Sequence, residues 1–160
     1  MLRLILMRHA KSSWDDRSIA DFDRPLNKRG MKNAPEMGKF LHSSGIRVDL
    51  ALCSSAKRTR QTLELLSEQL HVAEVKFCLE MYEATMGTVL SLVQEQGNRS
   101  ALLLVGHNPW ISYLAMYLSK TMVEEFPTAG VLCLDFQLAE WKDIQPKSGQ
   151  IVFKKFPKEL

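Results

Sequence analysis

Residues 1–16 read MLRLILMRHAKSSWDD, and the fold turns on how this stretch is read. Leu2–Met7 is apolar but for Arg3, and it runs straight into Arg8-His9 and a short polar segment. A brief apolar run bounded by polar residues fits a strand buried on both faces, as in a parallel sheet. Such a strand gains nothing in packing by ending on a guanidinium and an imidazole, so the pair has another use.

Two further stretches have the same form. VDLALCSS (from Val48) ends in Ser54-Ser55, with Arg58 one helical turn further on. ALLLVGHNP (from Ala101), the most apolar run of all, ends in Gly106-His107-Asn108-Pro109. In open parallel sheets ligands bind beyond the carboxyl ends of the strands, against helix N-termini. Two histidines and at least two arginines that are far apart in sequence are therefore expected to meet in one crevice. That combination suits an anion of the phosphate type.

Helices are expected between the strands. Asn27 can cap one running to about His42, with Ala34, Met37, Gly38 and Leu41 at helical spacing, although Gly30 and Pro35 weaken its first turns. AKRTRQTLELLSEQL (from Ala56) keeps its leucines on one face, and TMGTVLSLVQEQ (from Thr85) and WISYLAMYL (from Trp110) read as helices too. EVKFC (from Glu74), GVLCLDF (from Gly130), AEWKDI (from Ala139) and QIVFKKF (from Gln150) read as strands, the last two joined at Gln145–Gly149 into a hairpin. Alternating strands and helices predict an α/β fold of three layers, a mostly parallel sheet flanked by helices. The hairpin would add antiparallel edge strands.

The chain has 160 residues and no linker-like tract, so residues 1–160 are expected to form one domain. Its net charge of +3 is spread along the chain without a basic stripe, which argues against nucleic acid as a partner. No run approaches a membrane span, and the N-terminal run meets charge rather than a cleavage site, so a cytoplasmic protein is expected. Cys53, Cys78 and Cys133 are odd in number and sit in or beside apolar runs, as reduced core cysteines would. No amphipathic stripe is left over, which favours a monomer.

LMRHAKSSW (from Leu6), RPLNKRG (from Arg24), CSSAKRTRQT (from Cys53) and LLLVGHNPWI (from Leu102) together resemble the ordered motifs of the histidine phosphatase, or phosphoglycerate mutase-like, superfamily. Within it, the short chain, RHAKSSW and GHNP look most like the SixA phosphohistidine phosphatase group. The resemblance implies the phosphoglycerate mutase-like fold. It implies that His9 is the nucleophile that becomes phosphorylated, that Arg8, Arg24 and Arg58 grip the phosphoryl oxygens, and that His107 completes the pocket. No cofactor is implied, and without a carboxylate cluster no metal is expected; Asp15-Asp16 reads as a solvated pair.

Two departures accompany the resemblance. Ala10 stands where the superfamily usually has Gly. Where many relatives carry an acidic proton donor, CLEMYEA offers Glu80, favoured by alignment, or Glu83, and both could be surface charges. The activity expected is hydrolysis of phosphohistidine on a protein, such as a phosphorelay domain, since imidazole leaves readily without a strong acid and a short chain has little material for a lid. A small phosphate ester is the alternative substrate, and a non-catalytic phosphate-binding module is a third reading that an intact His9 argues against.

Overall fold

The computed structural model describes residues 1–123 and 125–160. The first apolar run forms strand β1 (Leu2–Arg8), and the Asn27-capped segment forms helix α1 (Lys28–Ser43). Asn27 Oδ1 accepts the Gly30 N–H at 2.9 Å, the capping expected at this end. Pro35 removes one helical donor, yet the helix continues because Ala34, Met37 and Leu41 bury one face.

Then follow β2 (Leu50–Ser54), α2 (Lys57–Ser67), β3 (Val75–Cys78), α3 (Met86–Gln94), β4 (Ala101–Gly106), α4 (Trp110–Leu118), β5 (Val131–Phe136) and β6 (Gln150–Lys155). The six strands make one sheet in the order β3-β2-β4-β1-β5-β6. Strands β1 to β4 run parallel, whereas β5 is antiparallel to β1 and β6 to β5. The apolar strands β1 and β4 therefore lie side by side at the centre, where both faces are covered.

Alternation along each central strand fills two core layers. Leu4, Leu6, Leu50, Leu52, Leu102 and Leu104 face a layer closed by α3 and α4 through Val89, Val93, Ile111, Leu114 and Leu118. Ile5, Met7, Ala51, Cys53, Leu103 and Val105 face the other, closed by α1 and α2 through Met37, Leu41, Leu63 and Leu66. Arg3, the one charge in the first run, reaches Asp135 opposite it on β5, with Nε donating to Oδ1 at 2.7 Å and Nη2 to Oδ2 at 2.9 Å. The three cysteines are free and buried, as the sequence predicts. Among the described residues no helix is long and apolar enough to cross a membrane.

The late segments correct the sequence reading. AEWKDI is not a strand: Trp141–Asp143 is a short 3-10 turn that drives Trp141 fully into the core. Its indole N–H donates to the Arg99 carbonyl at 2.7 Å, and its ring packs edge-on to Phe136 at 6.0 Å between centroids. A single anchoring aromatic between polar neighbours imitated strand alternation. The expected hairpin between the last two segments is consequently absent, and β6 pairs with β5 through a bulge at Cys133/Leu134.

Gly106, the last residue of β4, is required by packing. A Cβ there would stand 1.9 Å from Trp110 Cζ2, so only glycine lets the indole tuck beneath the strand end. Trp110 Nε1–H donates to the Met81 carbonyl at 3.0 Å, tying the start of α4 to the segment after β3. The carboxyl end of β4 is thereby held against the segment that follows β3.

Candidate active site

His9 and His107 sit at the ends of the adjacent strands β1 and β4, their ring centroids 5.4 Å apart. The His9 N–H donates to the Gly106 carbonyl at 3.0 Å, so the ladder continues into the site and fixes the spacing of the two rings. The ring itself is pinned by Nδ1, 2.7 Å from the Ala10 carbonyl oxygen. A carbonyl only accepts, so Nδ1 carries the proton and Nε2 of the neutral ring keeps its lone pair free. Burial pushes the His9 pKa down to about 3; the Ala10 carbonyl opposes this, while His107, Arg58 and Arg8 reinforce it.

Ala10 poses no conflict with its surroundings. Its φ is not positive, its methyl is wholly buried in the layer with Ile5 and Met7, and its N–H donates to Thr62 Oγ1 at 3.0 Å. The position therefore makes no use of glycine's conformational freedom. Thr62 in turn donates to the Arg58 carbonyl at 2.7 Å, joining the loop after β1 to the first turns of α2.

The arginines surround the two rings. Arg58, in the first turn of α2, donates through Nη1 to the Asp21 carbonyl at 2.8 Å and through Nη2 to Asp21 Oδ2 at 3.2 Å. Arg24 donates through Nε to Asp21 Oδ1 at 3.0 Å and through Nη1 to Ser12 Oγ at 2.8 Å, with the Trp14 ring 3.5 Å from its guanidinium carbon. Arg8 donates to the Phe126 carbonyl at 3.1 Å. Burial first, then Arg58, Arg8 and Arg24 hold the His107 pKa down to about 4, against the opposing pull of Asp21. Both rings are therefore neutral at pH 7 in a field with more positive than negative charge. Arg8 Nε, Arg58 Nε and His107 Nδ1 are buried without a hydrogen-bond partner among the described residues. The two unpaired guanidinium donors in a cationic cluster fit an anion.

Of the residues expected from the sequence, Arg8, His9, Arg24, Arg58 and His107 are brought together. Glu80 is placed differently. It is exposed in a 3-10 turn, Leu79–Met81, with its carboxylate beside Cys78, and makes no hydrogen bond or ion pair with the cluster. Glu83 is exposed too. The residue this segment sends to the site is Tyr82, edge-on to His107 at 5.7 Å, with its hydroxyl donating to Asp21 Oδ2. Burial and the Asp21 carboxylate push the tyrosine up to about 12, while its hydroxyl and the two arginines hold Asp21 down to about 2.

Asp21, Tyr82, Trp14 and Ser54 had no site role in the sequence reading. Asp21 stands three residues before Arg24, the one local signal that could have found it. Among the described residues no group of three or more His, Cys, Asp or Glu side chains could hold a metal ion.

Residues 4–96 match the family model of the histidine phosphatase superfamily, branch 1. The chain belongs to this superfamily. An uncharacterized Mycobacterium tuberculosis protein is 37% identical over 91% of this chain and 96% of its own length. Among solved structures, a protein assigned as the phosphohistidine phosphatase SixA of Agrobacterium tumefaciens superposes with a TM-score of 0.83 at 30% identity, covering 98% of both chains. Another so assigned, from Nakamurella multipartitia, gives 0.86 at 26% identity, covering 98% of this chain and 96% of the other. Each of these matches covers more than nine tenths of this chain.

Proposed function

We propose that this histidine phosphatase superfamily member removes phosphate from phosphohistidine on a protein, through a phosphohistidine intermediate on His9 and without a metal ion, and that residues 1–160 act as one domain. The observation that carries the reading is the His9 ring, neutral, with Nδ1–H held by the Ala10 carbonyl and Nε2 left free. The free lone pair attacks phosphorus, a P–N bond forms at Nε2, and the P–N bond to the substrate imidazole breaks. Arg8, Arg24 and Arg58 balance the charge that spreads over the equatorial oxygens, with His107 beside them. Water then attacks the same phosphorus, releasing phosphate and restoring His9.

Leaving-group chemistry favours the phosphohistidine substrate. A departing imidazole takes up a proton easily, whereas an alkoxide needs a donor that contributes about 10²–10⁴-fold. The acid expected at Glu80 is solvent-exposed. The SixA proteins that superpose on this chain are assigned to phosphohistidine.

The test is to offer the purified protein a phosphohistidine protein beside aryl and alkyl phosphates, all with chelator present. Phosphohistidine should be hydrolysed, with an acid-labile phosphate trapped on wild type and absent from His9→Ala. Glu80→Gln should leave the rates with all three substrates close to wild type, because its exposed carboxylate makes no contact with the cluster. Turnover of esters with phosphohistidine untouched would overturn the substrate, and loss of all activity with chelator would overturn the metal-free route.

A further inference from the structure

The two nitrogens of His107 have different surroundings. Nε2 lies 2.8 Å from Ser54 Oγ at the end of β2, while Nδ1, across the ring, is buried without a partner. Ser54 is completely buried, and its Oγ also receives the Ala56 backbone N–H at 3.4 Å. Burial keeps His107 neutral at pH 7, so one ring nitrogen donates and the other accepts.

Only one assignment gives the Ser54 hydroxyl an acceptor. With the proton on Nε2, both neighbours of Ser54 Oγ would donate to it and its own O–H would be left without an acceptor. The bare lone pair of Nδ1 would also be buried without a donor, although Arg58, Arg8 and Arg24 charge the ring's surroundings. With the proton on Nδ1, Ser54 accepts from Ala56 and donates to Nε2, and the one remaining unpaired group is an N–H, which an incoming phosphoryl oxygen satisfies.

We infer that Ser54 is a positioning residue that fixes His107 as its Nδ1–H tautomer and so makes the ring a neutral donor to the phosphoryl oxygens. The inference rests on the proposed phosphoryl-transfer reading for its purpose, but the tautomer is a property of the resting protein. Ser54 itself touches no reacting atom. It acts through His107, as the third member of a nucleophile–base–orienter chain acts through its histidine.

The experiment is long-range ¹H–¹⁵N correlation of the imidazoles in the full-length labelled protein at pH 7. The chain has four histidines, and His107 is assigned by its loss in His107→Gln. Wild type should carry the His107 proton on Nδ1. Ser54→Ala should give a mixture of tautomers and lower kcat/KM by roughly tenfold to hundredfold, less than outright loss of an oxyanion donor. Its kcat should fall more than KM changes, because the donor matters most as charge builds on the oxygens. Ser54→Thr keeps the hydroxyl and should keep the Nδ1–H form. A proton on Nε2 in wild type, or a fully retained Nδ1–H form in Ser54→Ala, overturns the inference. The wild-type spectrum decides even if the Ser54 variants fold poorly. An Nδ1–H ring in a protein that hydrolyses no phosphate compound would sink the proposed function and leave the tautomer standing.

Discussion

At His9 burial decides whether the ring is a base or a cation. An ordinary histidine would be half protonated near pH 6.5, and each protonated ring would lack the lone pair that the proposed mechanism uses. Here the neutral ring persists to about pH 3. The sign is that of a depressed base: above the depressed value the lone pair is available. The acid side of kcat/KM reports the free enzyme. With an aryl phosphate, and after allowing for the substrate's own ionisation near pH 6, kcat/KM should therefore stay flat down to about pH 5. An acid limb centred near 6.5 would show that His9 titrates normally and would contradict its burial. Ala10 makes a second point at this scale: the usual glycine is replaced without strain, since the backbone there is not left-handed and the methyl fills core space.

The short 3-10 turn Asp21–Asp23 does more for the site than its length suggests. Through one residue it holds Arg24, Arg58 and Tyr82, which come from three different parts of the chain. A carboxylate beside the proposed phosphate site works against anion binding by charge alone, so its value there would lie in aiming the guanidinium groups. Asp21→Ala is therefore expected to lower kcat by about tenfold to hundredfold while inorganic phosphate inhibits as well as before or better, since a repelling charge is gone. Steady-state kinetics with phosphate as inhibitor gives both numbers. A weaker phosphate affinity in step with kcat would mean that the turn serves only to shape the pocket. Tyr82 belongs to the same network, and the acid-rich CLEMYEA segment contributes it instead of a carboxylate.

For the molecule as a whole, seating two neutral histidines at the sheet's end makes acid a denaturant. Both rings have folded pKa values below their unfolded value of 6.5, about 3 for His9 and about 4 for His107. As pH falls below 6.5 the unfolded chain takes up protons that the native state refuses, so stability declines, by up to about 1.4 kcal/mol per pH unit for each ring, until the folded values are reached. Thermal unfolding between pH 7 and about 4 should show the melting temperature falling, with a shallower fall in His107→Gln. A melting temperature that is flat across this window in wild type would mean that the folded rings accept protons freely.

The apolar runs of β1, β2 and β4 and the residues at their ends, Arg8-His9, Ser54 with Arg58 beyond it, and Gly106-His107, were legible because burial on both faces writes a continuous local pattern. A buried run that stops on polar chemistry marks a strand end at a site. The capped helix α1 was legible for a similar reason, since Asn27 and its face of Ala34, Met37 and Leu41 are local signals. What lay beyond the sequence depended on partners distant along the chain. Trp141 passed for part of a strand because its role comes from Arg99 and Phe136, 42 and 5 residues away along the chain. Asp21 drew no reading from the sequence because Arg58 and Tyr82 reach it across 37 and 61 residues. Periodicity and composition determined which strands are buried and which side chains stand at their ends. Only the tertiary structure decided the strand order, the pairing of β6 with β5, the arginine-holding carboxylate and the hydrogen bond from Ser54 to His107, because each is a contact between segments whose local sequences carry no record of one another.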